Sequence, residues 1–526
     1  MDWRFPYPSQ RMPVIAANIA ATSQPLAAQA GLQVLREGGT AADAAVCMAV
    51  TLTVVEPVAN GIGSDAFAIA WAGELLGLNA SGRSPAGQPR SAFQGLKEMP
   101  RQGWPAVTVP GCVSAWVALH RKLGKLPFER LFEPAIRYAR EGYPVSPMTA
   151  ASWKRSVAKF DRFPDWMATF APQGRAPEPG DVVRLPDHAR ALEEIMRTQG
   201  ESFYRGHIAT QIESTATRAG AAMRASDLAA HQPQWVEPWH IDYRGVTLHE
   251  IPPNGQGLAA LLALGMLREM PMERYPRDSP DSLHLQIEAM KAAFADVRAF
   301  VADPDLGTQD AQRLLDPTLL RERSQSIRIA QAQPWTPTAL PKSSTVYLCA
   351  ADDQGHMVSY IQSNYEGFGS GIVIPGLGIA MQNRGAGFVL EPGHPNEYAP
   401  AKRPYHTIIP GFLTGPGGAP LAAFGVMGGA MQPQGHVQVV VRIVDQKLNP
   451  QSAIDAPRWQ VMDDGVIQLE PGFPEATVQD LRRRGHNVRV AKDESVFFGG
   501  AQMAMRQGGV YIGASDPRRD GQAVGF

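Results

Sequence analysis

Apolar and polar positions along the chain fall into a helical half and a strand-rich half. Residues 13–16 are an apolar run short enough for a strand, and Ser23 is placed to cap a helix that runs to about Glu37 and stops at Gly38-Gly39. Thr40 then caps a second helix, residues 41–55, which is apolar nearly all round and therefore belongs inside a core. Glu56-Pro57 ends it, Gly61 to Asp65 forms a tight turn, and residues 68–80 alternate as a hairpin around Ala72-Gly73. From 111 to 220 the apolar spacing is helical, and Asp227 opens another short helix. Residues 331–344 carry three prolines and no period, which predicts an extended linker. Two apolar segments follow, 346–351 and 357–361, joined by Asp352-Asp353-Gln354-Gly355, and this predicts a buried hairpin.

Composition narrows the function classes. Apolar residues are 44 % of the 526, enough for a large core, and charged residues are 19 %, below the usual quarter. A formal net charge of −1 gives no footprint for nucleic acid or an anionic membrane. The three cysteines, Cys47, Cys112 and Cys349, lie in apolar segments without metal-ligand spacing and read as buried thiols. The first residues show no signal-peptide pattern and no run is long enough to span a membrane, so a cytoplasmic protein is expected.

The chemistry concentrates where the linker meets the hairpin. Thr345 is the first residue of a strand, and taken by itself it reads as an ordinary β-favouring threonine. If the chain were cut before it, the hydroxyl and a free α-amine would lie together; such an amine, with a pKa near 8, can activate a hydroxyl that is a weak nucleophile alone. His284 and Glu288 fall one helical turn apart, but the HExxH order is absent and no third ligand is nearby, so a structural helix face is expected and no metal.

Several stretches together resemble the γ-glutamyltranspeptidase family. They are GLQVLREGGTAADAAV (31–46), VVEPVANGIGSDAF (54–67), VPGCVSAW (109–116), HLQIEAMKAAFAD (284–296), TVY at 345, DQGHMVSYIQSN, GFGSGI, KRPYHTIIP, VMGGAMQPQGH and GASDPRRDG (513–521), in the family's order. The resemblance implies an α+β fold, a four-layer αββα sandwich of the N-terminal-nucleophile hydrolase type. It implies self-cleavage between Ser344 and Thr345 into a large subunit, 1–344, and a small one, 345–526, from one precursor. Thr345 is then nucleophile and base, Ser363 orients it, and the N–H groups of Gly428 and Gly429 receive the oxyanion. The family places a carboxylate-binding arginine at Arg90, with Arg83 as the alternative, and further substrate contacts at Asn364 and Tyr365. No cofactor is implied, and a homo-oligomer is left open.

The chain departs from the family where γ-glutamyl groups are held. The segment expected to carry acidic residues reads Asn383-Arg384-Gly385-Ala386-Gly387-Phe388, and Tyr405-His406-Thr407 stands where a Ser-Ser pair is expected. An ammonium site replaced by Arg384 and His406 suits an acyl group without an α-amine, oxamate-like or glutaryl-like, and points to a divergent subgroup near oxamate amidohydrolase and the cephalosporin acylases. The substrate expected is a small amide, cleaved by water or transferred to an amine. The alternatives are a true γ-glutamyltransferase or glutathione hydrolase, and a non-catalytic binding relative.

Overall fold

In the computed structural model, residues 10–306, 310–334, 344–492 and 495–526 are described. Most of the 331–344 linker therefore lies outside the described residues. The strands used below are β1 (Val14–Ala16), β2 (Ile19–Thr22), β3 (Asp65–Trp71), β4 (Leu75–Asn79), β5 (Gln234–Val236), β6 (Trp239–Tyr243) and β7 (Val246–Glu250). They continue with β8 (Ser344–Ala351), β9 (Met357–Tyr365), β10 (Gly411–Thr414), β11 (Pro420–Met427), β12 (Trp459–Val461), β13 (Ile467–Leu469) and β14 (Val488–Val490). The last three are β15 (Gly500–Gln507), β16 (Val510–Ser515) and β17 (Gln522–Gly525). The helices are α1 (Pro25–Arg36), α2 (Ala41–Val55), α3 (Cys112–Leu123), α4 (Pro147–Phe160), α5 (Leu258–Arg268), α6 (Pro280–Phe300) and α7 (Met431–Val444).

Two seven-stranded sheets stack face to face, one in the order β17-β2-β8-β9-β3-β4-β5 and the other β1-β16-β15-β11-β10-β7-β6. The period-2 alternation of β8 shows how the layers form. Val346, Leu348 and Ala350 join the core shared with α1, α2 and α3. Tyr347, Cys349 and Ala351 join the core between the two sheets, with Phe412, Ala423 and Met427 of the facing sheet. A third core packs α5, α6 and α7 on the outer face of the second sheet. The order is helix, sheet, sheet, helix, as the resemblance implied. Gly425 is required at the centre, because a Cβ there would lie 2.4 Å from the Tyr347 ring.

The local predictions hold where caps and periods act alone. All fifteen residues of α2 are buried, and Thr40 and Asp43 close a capping box at its start. One cap differs: α1 is capped by the Gln24 side chain, which accepts from Leu26 N and Ala27 N. Ser23 instead donates to Glu56 Oε2 at 2.5 Å, a partner 33 residues away. The cysteines are buried as expected, and burial pushes the Cys47 thiol up to about 12 and raises that of Cys112. Thiolate is the reactive form, so iodoacetamide should leave native activity intact over an hour at pH 7.5; rapid stoichiometric inactivation would contradict this burial.

The end of the chain is tied down by a buried charge cluster. Asp516 pairs with Arg458 at 2.6 Å and Arg518 at 3.1 Å and accepts from Ala501 N and Arg518 N. The two guanidinium groups and these N–H groups, against the opposing effect of burial, hold its carboxyl far below the usual range. The depressed pKa means a stabilising contribution that is present above the ordinary Asp value near 4 and lost as pH falls through the folded-state value. Asp516→Ala would leave Arg458 buried and uncompensated, at about 3–5 kcal/mol. The expected outcome is a melting temperature several degrees lower near neutral pH, measured by calorimetry on purified protein; an unchanged melting point would refute it.

Candidate active site

Thr345 is the second residue of β8, a central strand bonded on both sides, to β2 and to β9. Its neighbourhood is irregular: Ser344 pairs with Tyr365 and Val346 with Gln362, so β9 sets two residues, Ser363 and Asn364, opposite Thr345. Such a bulge re-aims side chains at a sheet end. Thr345 is 3 % exposed, and its Oγ1 donates to Ser363 Oγ at 3.2 Å. Ser363 Oγ in turn donates to the Ser344 carbonyl at 2.8 Å and accepts from Tyr365 N at 2.8 Å. A hydroxyl relay therefore connects Thr345 to the carbonyl of its own preceding peptide bond. Asn364 holds the Gly61–Asp65 turn by accepting from Ser64 Oγ at 2.8 Å, while its Nδ2 lacks a partner among the described residues.

Gly428 and Gly429 follow β11 with φ of 128° and 60°, the left-handed region that a side chain disfavours. Their carbonyls accept from Met431 N and Gln432 N and open α7, so the pair lies at the positive end of a helix dipole. Gln256, fully buried, fixes this corner: its Nε2 donates to Gly429 O at 2.8 Å and to Thr407 O at 2.6 Å, while its Oε1 accepts from Tyr405 Oη. Sequence reasoning passed over Gln256; its position between Gly255 and Gly257 after two prolines was the available signal.

Arg384 is fully buried. It lies 4.2 Å over the Tyr365 ring, and its Nη1 donates to Thr407 Oγ1 at 2.8 Å. Nε and Nη2 have no partner among the described residues, and burial lowers its pKa to about 10. Tyr365 itself is held at φ 76°, a strained conformation for a non-glycine residue. His406 is not a second cation. It is buried, its Nδ1 accepts from Ile408 N, and its Nε2 donates to Asp65 Oδ2 at 3.1 Å. Burial, helped by Arg384, drives its pKa well below the usual value, so the ring is neutral. Burial also pushes Asp65 up to about 7, against the pull of Arg384 and the N–H groups of Gly82 and Gly111.

Arg90 and Arg83 make other pairs, and neither lines the cleft at Thr345. Arg90 pairs with Glu397 at 3.2 Å and donates to Leu390 O, and Arg83 pairs with Asp303 and Asp305 at 2.6 and 2.5 Å. Other cations line the cleft that reaches Thr345. This cleft of about 590 Å³ opens onto Ser344, Thr345 and Gly428, with Arg155 and Lys159 of α4 on one wall and Arg489 of β14 on another. Glu56 also lines it; burial pushes its carboxyl up to about 7 despite the Ser23 hydrogen bond.

The structure corrects the reading of His284 and Glu288. A third donor exists: His486 Nε2 lies 2.8 Å from His284 Nδ1, and one atom from each of the three residues falls within 4.8 Å of the others. Lys291 Nζ already pairs with Glu288 at 2.8 Å, and Arg328 O and Gln333 N bond His284 and Glu288. The cluster ties Arg328 and Gln333 to α6. EDTA dialysis is expected to leave turnover unchanged; loss restored by a divalent ion would contradict that.

Known proteins share this architecture. The sequence model of the γ-glutamyltranspeptidase family matches residues 27–526. The chain belongs to that family. An oxamate amidohydrolase proenzyme of Klebsiella pneumoniae is 35 % identical over 523 residues, 97 % of this chain and 98 % of the relative. A glutathione hydrolase-like proenzyme, YwrD, of Bacillus subtilis is 34 % identical over 515 residues, 95 % and 97 % of the two. The crystal structure of a cephalosporin acylase from Bacillus halodurans superposes with a TM-score of 0.95 at 49 % identity, covering 100 % of this chain and 99 % of that one. The protein is accordingly a hydrolase of the N-terminal-nucleophile type made as a proenzyme. No helix among the described residues is long and apolar enough to cross a membrane.

Proposed function

We propose that the protein cuts its own Ser344–Thr345 bond and then hydrolyses small amides through an acyl-Thr345 intermediate. The observation that carries this reading is the hydroxyl relay from Thr345 through Ser363 to the Ser344 carbonyl. In the precursor, Thr345 Oγ1 attacks the Ser344 carbonyl carbon and Ser363 donates to the oxygen where charge develops. The acyl group passes from nitrogen to oxygen, and water hydrolyses the ester. Residues 1–344 and 345–526 become the subunits, and Thr345 gains a free α-amine. That amine accepts the hydroxyl proton when Thr345 attacks a substrate amide, and returns a proton to the departing nitrogen. Gly428 and Gly429 supply oxyanion donors from the start of α7. Water completes the cycle, and an amine in its place gives acyl transfer.

The acyl group is a small acid without an α-amine, oxamate-like or glutaryl-like. Arg384 supports this: its buried Nε and Nη2 offer two donors and a positive charge, suited to a carboxylate. Glycine at 387 supports it too, because a Cβ there would lie 2.7 Å from Tyr405 O, so the family's acidic side chain needs this backbone to move. Thr407 and Tyr365 orient the guanidinium. A panel of primary amides and γ-glutamyl amides, read out by released ammonia or amine, tests the assignment. Glutathione turnover equal to that of every amine-free amide would restore the γ-glutamyl reading.

A further inference from the structure

The residues proposed to bind the acyl group do not line the open cleft. Arg384, Tyr365, His406 and Thr407 are buried and none lines the cleft, whereas Thr345 and Gly428 do. A volume of about 590 Å³ is in the range of pockets that enclose a drug-sized molecule. It is far larger than departing ammonia needs. If the acyl group is held on the buried side, the cleft is where the amine leaves or an acceptor arrives.

Its walls come from both sides of the processing point. On α4, Ser152, Arg155, Ser156 and Lys159 recur at helical spacing and face the cleft; the turn after β12 and Arg489 of β14 line it as well. The charges are unevenly spent. Lys159 pairs with Glu366 at 2.8 Å, and Glu366 also pairs with Arg101. Arg155 donates to Ser152 Oγ at 2.9 Å and has no carboxylate partner among the described residues; Arg489 likewise has none. Desolvation lowers the Arg155 pKa. Three acids among the described residues line the cleft: Glu366, paired with Lys159 and Arg101; Glu56, bonded to Ser23; and Asp463, exposed on the turn after β12. Two uncommitted guanidinium groups in a walled cleft focus a positive potential on whatever enters.

We propose that Arg155 and Arg489 form a leaving-group subsite that takes an anion, in the first place a carboxylate, carried by the departing amine. The substrate class becomes amides formed between a small acid and an anionic amine, such as an amino acid. This rests on the acyl-Thr345 reading above. Attack by Thr345 breaks the C–N bond, the nitrogen takes the proton held by the α-amine, and the amine leaves as an amino carboxylate along the two arginines.

The test compares glutaryl-alanine with glutaryl-alaninamide, which share an acyl group and differ in the carboxylate. The readout is the ratio of their kcat/KM values. Comparing that ratio between proteins cancels the different intrinsic reactivities of the two amides. In the double variant Arg155→Ala/Arg489→Ala the ratio should fall roughly tenfold or more relative to wild type, the scale of one lost charged hydrogen bond. Lys154→Ala, an exposed neighbour on α4 outside the cleft, should keep the wild-type ratio. Two bands on a denaturing gel show that each variant has folded and processed. A processed double variant whose ratio stays within about twofold of wild type overturns the subsite. A processed wild-type enzyme that hydrolyses neither compound, or a Thr345→Ala protein that still does, overturns instead the reading beneath it.

Discussion

Thr345→Ala protein is expected to run as one uncut chain, while wild type runs as two fragments, residues 1–344 and 345–526. Edman sequencing of the smaller wild-type fragment should read Thr-Val-Tyr-Leu, the residues from 345 onward. Amide hydrolysis should fall by about 10⁴-fold or more, the order of loss when a covalent nucleophile is removed. Ser363→Ala separates the relay from the nucleophile. It removes the donor 2.8 Å from the Ser344 carbonyl and leaves the Tyr365 N–H without its acceptor. Processing should slow roughly 10²-fold, as when one oxyanion donor is lost, with the cut still at Thr345. Thr345→Ser keeps a hydroxyl on a side chain that lacks the methyl, and should process to the same two bands. A single-chain Thr345→Ala protein with full activity would end the proposal.

The second large effect concerns the acyl group. A γ-glutamyl substrate would bring an ammonium to a place where Arg384 carries a like charge and positions 386 and 387 hold Ala and Gly. A buried charge left without a partner costs several kcal/mol, and about 2.7 kcal/mol of that is already 10²-fold in rate. Turnover of γ-glutamyl-p-nitroanilide should therefore trail an amine-free counterpart such as glutaryl-p-nitroanilide by 10²-fold or more in kcat/KM. Arg384→Ala should narrow that gap from the glutaryl side, chiefly through KM, because a carboxylate remote from the reacting carbon is bound alike in ground and transition states. The cut at Thr345 should persist in this variant, which separates lost binding from lost folding. Equal turnover of the two nitroanilides by wild type would show that Arg384 does not select the acyl group.

The amino-acid sequence by itself determined what depends on near neighbours. The capping box of α2, its apolar surface, the Asp/Gly turn between β8 and β9 and the place of Thr345 at a strand start were all legible, because each rests on residues a few positions apart. The motifs in order gave the family and with it the layered fold. Only the tertiary structure decided which charges are free to act, because that depends on partners far away along the chain. Arg90 looked available and is taken by Glu397, 307 residues on; Arg155 carried no signal and stands open at the cleft. His284 and Glu288 gained His486 from 202 residues away, and Ser23 gave up a cap for Glu56. His406 read with Arg384 as the replacement of an ammonium site, and only the fold shows its ring buried against Asp65 with its pKa driven well down. Periodicity and caps are local energies written in adjacent residues; desolvation and ion pairing are settled only when distant segments are packed together.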